Sequence, residues 1–257
     1  GDPNLKQSFY GRIYSQSYDL EGRRGDMLPF YLDKWKKAGR PDPVLEPMCG
    51  TGYFLIPFLE AGADIEGVDA SPYMLAECRK KCSDKGLDPS LHQQLIEEIN
   101  LSRQYGFIFI PDRSFGHLYE RETAQKSLQK LWDYLLPGGW FVLDLKTPPE
   151  EGAFGKSGET EIEIEDRPDG STIWITSLWS ERDGGRVIRN LTKYEVYVNG
   201  ELTTTELFDY NERFYDIVEF EEMLRTAGFM DIQTTKAYGD TEPSEHDIVV
   251  FFCRKPE

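Results

Sequence analysis

The stretch Val44-Leu45-Glu46-Pro47-Met48-Cys49-Gly50-Thr51-Gly52-Tyr53, followed by Gly67-Val68-Asp69-Ala70-Ser71, carries the features that set the fold of this 257-residue chain. A short apolar run ends in an acid, two glycines one residue apart follow, and then a helix-like stretch begins. That order reads as strand, tight turn and helix shaped to receive a nucleotide. Glycine suits the turn because a side chain would hold a ligand away from the backbone, and because such turns often require positive φ. The helix starting there aims its unpaired N–H groups at whatever is bound. Asp69 closes a second apolar strand, Ile65-Glu66-Gly67-Val68, where a carboxylate can accept hydrogen bonds from both hydroxyls of a ribose.

Two details separate this turn from a dinucleotide site. The dinucleotide fingerprint places a third glycine three residues after the second, so that the helix can approach the strand beneath a pyrophosphate. Leu55 stands there instead. Glu46, at the end of the first strand, puts a carboxylate near the site, which repels a pyrophosphate and suits an ammonium or sulfonium group.

At these residues the chain resembles the class I S-adenosylmethionine-dependent methyltransferases, in particular the small single-domain kind. Glu46, Cys49, Gly50, Thr51 and Gly52 match the first motif, and Asp69-Ala70-Ser71-Pro72 with Met74-Leu75 matches the second. The resemblance covers most of residues 9 to 150, thins out afterwards, and returns from Phe214 to Phe229. It implies a doubly wound, Rossmann-like α/β fold with a seven-stranded, mostly parallel sheet. It also implies S-adenosyl-L-methionine as cofactor and transfer of its methyl group to a small-molecule acceptor. Cofactor contacts are implied at Tyr18, Glu46, Met48, Gly50, Gly52, Asp69, Ala70, Met74, Ile96, Glu97 and Pro111. In this picture Tyr18 folds over the methionine moiety, with Tyr10 and Tyr14 on the substrate side or in packing. By register Leu95 stands where the family commonly has an acid for the adenine amino group, and Ile96 stacks on the ring. Glu97 or a backbone carbonyl is left to receive that amino group. The rival readings are a cofactor-binding protein without turnover and a nicotinamide oxidoreductase, the latter lacking both the third glycine and an evident Tyr-x-x-x-Lys pattern.

Composition narrows the partners. With 46 acids against 29 Lys and Arg the formal charge is −17, which argues against a nucleic-acid substrate, since binding phosphates requires basic groups to neutralise them. The short basic runs Arg23-Arg24 and Lys34 to Lys37 read as solvated helix faces. Cys78 and Cys82 lie one helical turn apart without grouped third and fourth ligands, so all four cysteines read as buried free thiols and no metal is expected. No signal-peptide pattern is present and no apolar run approaches about twenty residues, so a soluble, cytoplasmic protein without membrane contact is expected.

Along the chain, apolar spacing predicts helices over Asp26 to Lys37, Phe54 to Ala61, Pro72 to Lys81, Thr123 to Leu136 and Val218 to Ala227. Strands are expected at Leu91 to Glu98, Tyr105 to Ile110, Trp140 to Leu145, Ile232 to Lys236 and Ile248 to Cys253. The loop Pro111-Asp112-Arg113-Ser114-Phe115-Gly116-His117 leaves the carboxyl end of a central strand, where doubly wound sheets carry out their chemistry. His117 there is either a packing or capping residue, or a catalytic proton acceptor. From Glu159 to Asn211 the pattern changes to four alternating runs joined by Pro168-Asp169-Gly170, Asp183-Gly184-Gly185 and Asn199-Gly200, which predicts an antiparallel β insertion. Trp174, Trp179, Tyr194 and Tyr197 are expected to share one apolar face that covers something: the chain's own domain, a second copy in a homodimer, or the acceptor pocket. The division is then 1–150 as lead-in and cofactor core, 151–212 as insertion, and 213–257 as the helix and strands that complete the core.

Overall fold

The computed structural model describes residues 11, 15, 25–150, 153, 157–244 and 246–257. Helix α1 (Met27–Lys37) leads into β1 (Val44–Pro47), α2 (Leu55–Glu60), β2 (Ile65–Asp69), α3 (Pro72–Asp84) and β3 (Leu91–Gln93). Then follow β4 (Tyr105–Ile110), α4 (Arg121–Tyr134) and β5 (Leu135–Lys146). The sheet they build is completed by α5 (Ile217–Ala227), β10 (Met230–Lys236) and β11 (Ile248–Arg254). Its seven strands run in the order β10-β11-β5-β4-β1-β2-β3. The pairs of β1 with β2 and β4, of β2 with β3, and of β4 with β5 are parallel, while β11 is antiparallel to both β5 and β10. This is the doubly wound, Rossmann-like α/β fold with a mostly parallel seven-stranded sheet that the sequence leads one to expect.

The central strands are apolar at successive positions because helices cover both faces. Leu45, Ile108 and Leu143 belong to the layer with α4 and α5, whereas Val44, Phe107, Phe109 and Val142 belong to the layer with α1, α2 and α3. Phe58 of α2 stacks on Phe109 with ring centroids 4.5 Å apart. Between the first helix of the glycine turn and the sheet, the place of the missing third glycine is taken by Gly67. A Cβ there would lie 2.7 Å from Leu55 Cδ1, 2.8 Å from Cys49 Sγ and 2.9 Å from Leu91 Cδ2. Leu55 can thus sit on the strand because the strand, not the helix, supplies the glycine.

Two boundaries differ from expectation. The third strand stops at Gln93, and Ile96–Glu98 forms a 3-10 turn instead; β3 is the edge of the sheet, so the chain there is free to leave it. Helix α4 ends at Tyr134 and β5 begins at once, since Leu135 already pairs with Tyr105 before the Pro137-Gly138-Gly139 irregularity.

The insertion is a four-stranded antiparallel meander of β6 (Thr160–Asp166), β7 (Ser171–Arg182), β8 (Val187–Val198) and β9 (Glu201–Arg213). Asn199 and Gly200, both at positive φ, make the tight turn into β9. The four aromatics do not share a face. Trp174 and Tyr197 come together on one side, with ring centroids 5.8 Å apart. Trp179 and Tyr194 belong to the opposite side, because Ile175 pairs with Tyr194 while Thr172 pairs with Tyr197. The reason is the two-residue period of a strand: Trp174 and Trp179 are separated by an odd number of positions, as are Tyr194 and Tyr197. Among the described residues no helix is long and apolar enough to cross a membrane.

Gly67→Ala is expected to destabilise the protein by about 1–3 kcal/mol, because the added methyl group overpacks the contact between α2 and β2. Urea denaturation checks this; an unchanged midpoint would show that Leu55 and Cys49 yield without cost.

Candidate active site

Where β1 and β2 end, the backbone turns under a single carboxylate. Met48, Gly50 and Gly52 all have positive φ, and Cys49 N–H donates to the Val68 carbonyl at 3.0 Å. Asp69 Oδ2 accepts the Gly50 N–H at 2.9 Å and Oδ1 accepts the Ser71 N–H at 2.8 Å. Ser71 then caps α3 by accepting the Met74 N–H at 3.2 Å, with Pro72 as the first helical residue. Gly52 is required behind the turn, since a Cβ there would come within 2.5 Å of Cys78 Sγ. Burial raises the Asp69 carboxyl to about 6, against the lowering effect of the backbone N–H groups it accepts.

This turn forms one wall of a cavity of about 290 Å³. Met48, Gly50, Asp69, Ala70 and Met74 line it on the side of β1 and β2, and Gln94, Leu95, Ile96 and Glu97 line it where the chain leaves β3. His117, Leu118 and Thr123 form a third wall, and Phe208, Asp209, Tyr210 and Asn211 of β9 a fourth. Eight of the residues singled out from the sequence therefore meet around one space: Met48, Gly50, Asp69, Ala70, Met74, Ile96, Glu97 and His117.

Four do not. Gly52 shapes the turn from behind, and Pro111 ends β4 as a buried residue outside the cavity wall. Tyr18, with Tyr10 and Tyr14, lies outside the described residues. Glu46 is buried beneath the turn, held by the backbone N–H of Leu55, and its Oε2 has no partner. Strand alternation explains the placement: Glu46 points to the same face as Val44, under α2 and away from the cavity. Burial pushes its carboxyl well above the usual range, and the nearby Asp69 charge adds to this.

His117 closes a short 3-10 turn, Ser114–His117. Its Nδ1 lies 3.2 Å from the Asn211 carbonyl, so Nδ1 carries the proton and donates, and Nε2 has the lone pair in the neutral ring. The ring meets Tyr210 edge to face at 4.8 Å. Burial lowers the imidazole pKa from its ordinary value, opposed by the charge of Glu212.

The loop that carries His117 is anchored by residues that sequence reasoning did not single out. Asp144, fully buried in β5, accepts the Tyr31 hydroxyl, the Tyr238 hydroxyl at 2.8 Å and the Arg113 N–H at 3.2 Å. Its signal in the sequence is an acid inside the apolar run Phe141-Val142-Leu143-Asp144-Leu145. Asp209 and Asn211 were also missed. Arg189 grips both oxygens of Asp209 at 2.6 Å, and Asn211 Nδ2 donates to Asp209 Oδ1 at 3.1 Å.

Comparison with known proteins agrees with this geometry. A family described as "Methyltransferase domain" matches residues 44–139. YqeM of Bacillus subtilis (strain 168), named as a methyltransferase, is 25% identical over 224 residues, covering 85% of this chain and 87% of YqeM. A dTDP-3-amino-3,4,6-trideoxy-alpha-D-glucopyranose N,N-dimethyltransferase of Streptomyces venezuelae is 29% identical over 154 residues, 60% of this chain and 59% of that enzyme. Among solved structures, an S-adenosylmethionine-dependent methyltransferase from Clostridium acetobutylicum ATCC 824 superposes with a TM-score of 0.76 at 18% identity, covering 95% of this chain and 97% of that one. The glycine turn, the acid that closes β2 and the methyltransferase-domain match over residues 44–139 together support a class I S-adenosylmethionine-dependent methyltransferase.

Proposed function

We propose that this methyltransferase binds S-adenosylmethionine across the wall formed by Gly50, Asp69 and Ile96 and methylates a nitrogen of a small molecule held between His117 and β9. The observation that carries the reading is the convergence of the glycine turn, Asp69 and His117 on one cavity. In this reading residues 1–150 and 213–257 form the cofactor unit, and 151–212 supply the acceptor side.

The residues present fit the cofactor. Asp69 accepts backbone N–H groups from Gly50, Ser71 and Ala70, and its two oxygens, with about four acceptor sites between them, can also take up a ribose hydroxyl. Leu95 and Ile96 offer an apolar flank for a planar ring, with Glu97 beside them. S-adenosylmethionine supplies a methyl group already activated on a positively charged sulfur. What remains for the chain is to align the acceptor, exclude water and receive a proton. His117 is suited to receive that proton, because its Nδ1 hydrogen is committed to the Asn211 carbonyl and burial favours the neutral ring, whose Nε2 is the accepting atom.

Charge favours a neutral or cationic acceptor. The ionisable side chains in the described wall are Asp69, Glu97, His117, Tyr119, Glu120, Asp209 and Tyr210, a set that attracts an ammonium group and repels a carboxylate or phosphate. Relatives named glycine/sarcosine N-methyltransferase and aminosugar N,N-dimethyltransferase support nitrogen as the acceptor atom.

Asp69→Ala should weaken S-adenosylhomocysteine binding by roughly 2 to 3 kcal/mol, with cooperative melting retained. Titration calorimetry reads this, and unchanged affinity would remove the ribose assignment. In the unaltered protein the same affinity should fall as pH drops through about 6, because protonated Asp69 loses acceptor strength toward the hydroxyls. A flat profile from pH 7 to 5 contradicts that.

His117→Gln should lower kcat about 100-fold or more while S-adenosylhomocysteine affinity stays within about threefold. The wild-type rate should rise with pH through a midpoint below the ordinary histidine value, since the neutral ring is the active form. Steady-state kinetics with an identified amine checks both; a variant with full turnover assigns His117 to packing.

A further inference from the structure

Past the end of β4 the chain takes a path that its residues do not favour. Asp112 and Arg113 stand at φ 58° and 57°, two consecutive left-handed residues, neither of them glycine. In that region the Cβ crowds the following carbonyl, so such a pair persists only where surrounding contacts hold it, and residues of this kind cluster at functional sites. Arg113 is also the residue from which the turn Ser114–His117 starts, and its carbonyl accepts the Gly116 N–H at 2.9 Å. The direction in which His117 leaves the loop is therefore set at the strained pair. Relaxing Asp112 to negative φ would swing the peptide that follows it, and with it the Arg113 N–H.

We propose that Asp144 is a positioning residue for His117: by accepting the Arg113 N–H it keeps the loop on its left-handed path and presents the imidazole to the Asn211 carbonyl as the Nδ1–H form. Asp144 lies outside the cavity wall, so it acts on the site through the loop and not by touching a ligand. Its neighbours along β5, Phe141, Val142, Leu143 and Leu145, are buried and apolar, and a carboxylate among them is costly unless donors satisfy it. Three donors do so. Tyr31 of α1 donates to Oδ1, and Tyr238, from the segment between β10 and β11, donates to Oδ2 at 2.8 Å. The Arg113 N–H reaches the same Oδ2 at 3.2 Å.

The three donors are not equivalent. A tyrosine hydroxyl can turn about its C–O bond and accept instead of donate, whereas a backbone N–H can only donate. Any group at position 144 that keeps the loop in place must therefore offer an acceptor to Arg113. Stability alone asks for less, since buried charged groups can often be replaced by apolar side chains of similar volume without loss. The Arg113–Asp112 ion pair at 3.1 Å links two residues of the loop to each other, whereas the bond to Asp144 ties the left-handed pair to the sheet.

The chain has 3 histidines, so nitrogen-15 NMR of the labelled full chain reads each imidazole, and His117→Gln assigns the signal. At a pH where the ring is neutral, the wild type is expected to show His117 protonated at Nδ1 and unprotonated at Nε2. Asp144→Ala should shift the ring toward the Nε2–H form that free imidazole prefers. Asp144→Asn should retain the Nδ1–H form, since its amide oxygen can stay on the Arg113 N–H while its NH2 group faces Tyr31. Tyr238→Phe, which removes a hydrogen bond from the same oxygen but leaves the Arg113 N–H, should retain it too. A wild-type ring protonated at Nε2, an Asp144→Ala ring still protonated at Nδ1, or a Tyr238→Phe ring that reverts as fully as that of Asp144→Ala overturns the proposal. If Asp144→Ala does not fold, hydrogen exchange of the wild type decides: the Arg113 amide is expected to be protected, and exchange at the rate of an unstructured chain overturns the inference. Only the consequence for rate rests on the proposed function. With an amine acceptor, Asp144→Ala should lower kcat about 100-fold and leave S-adenosylhomocysteine affinity within about threefold. A ring that reverts while kcat stays unchanged upholds the positioning and removes the proton role of His117.

Discussion

The carboxylate of Asp69 holds the Gly50 N–H with one oxygen and the Ser71 N–H with the other, so the loops that leave β1 and β2 share a single anion. The rest of the site depends on this clasp. It sets the glycine turn at the carboxyl end of β1, and through Ser71 it sets the start of α3, which carries Met74 into the cavity wall. Burial makes the ionised clasp costly, and the N–H groups of Gly50, Ser71 and Ala70 offset part of that cost. A ligand that adds hydroxyl donors to the same carboxylate would offset more, which couples the geometry of the turn to what it binds.

A second anchor works at the other side of the cavity. Asp144 draws Tyr31 of α1, Tyr238 and the backbone of Arg113 to one buried point, and the loop fixed there ends at His117. The imidazole is fixed in turn by the Asn211 carbonyl of β9, and Arg213 donates to the Tyr119 carbonyl at 2.5 Å. The meander is thus joined to the core at the place where the acceptor would sit. A Rossmann-like core and a β attachment meet at one histidine, which under the proposed function divides the labour between cofactor and acceptor recognition.

Much of the core was legible in the sequence because it is local. A turn of glycines, a strand ended by Asp69 and a capped α3 are each specified within about ten consecutive residues, and hairpin turns such as Asn199-Gly200 announce the meander. What was not legible depends on contacts between distant segments. His117 and Asn211 are 94 positions apart, so nothing near either residue indicates the tautomer. Glu46 could be read as an acid beside the turn, yet the face it points to follows from strand alternation, which sends it beneath α2. Leu55 marked the absence of a third glycine, whereas its compensation by Gly67 requires knowing that the helix lies on that strand. The four aromatics of the meander illustrate a different limit: counting residues along each strand, which the sequence permits, would have divided them between faces.

The most direct measurement is a crystal structure of the protein with S-adenosylhomocysteine. The account predicts both ribose hydroxyls within hydrogen-bond distance of Asp69, the adenine against Ile96, and the sulfur facing the space between His117 and Tyr210. A ligand bound elsewhere, or a ribose that Asp69 does not touch, would contradict it.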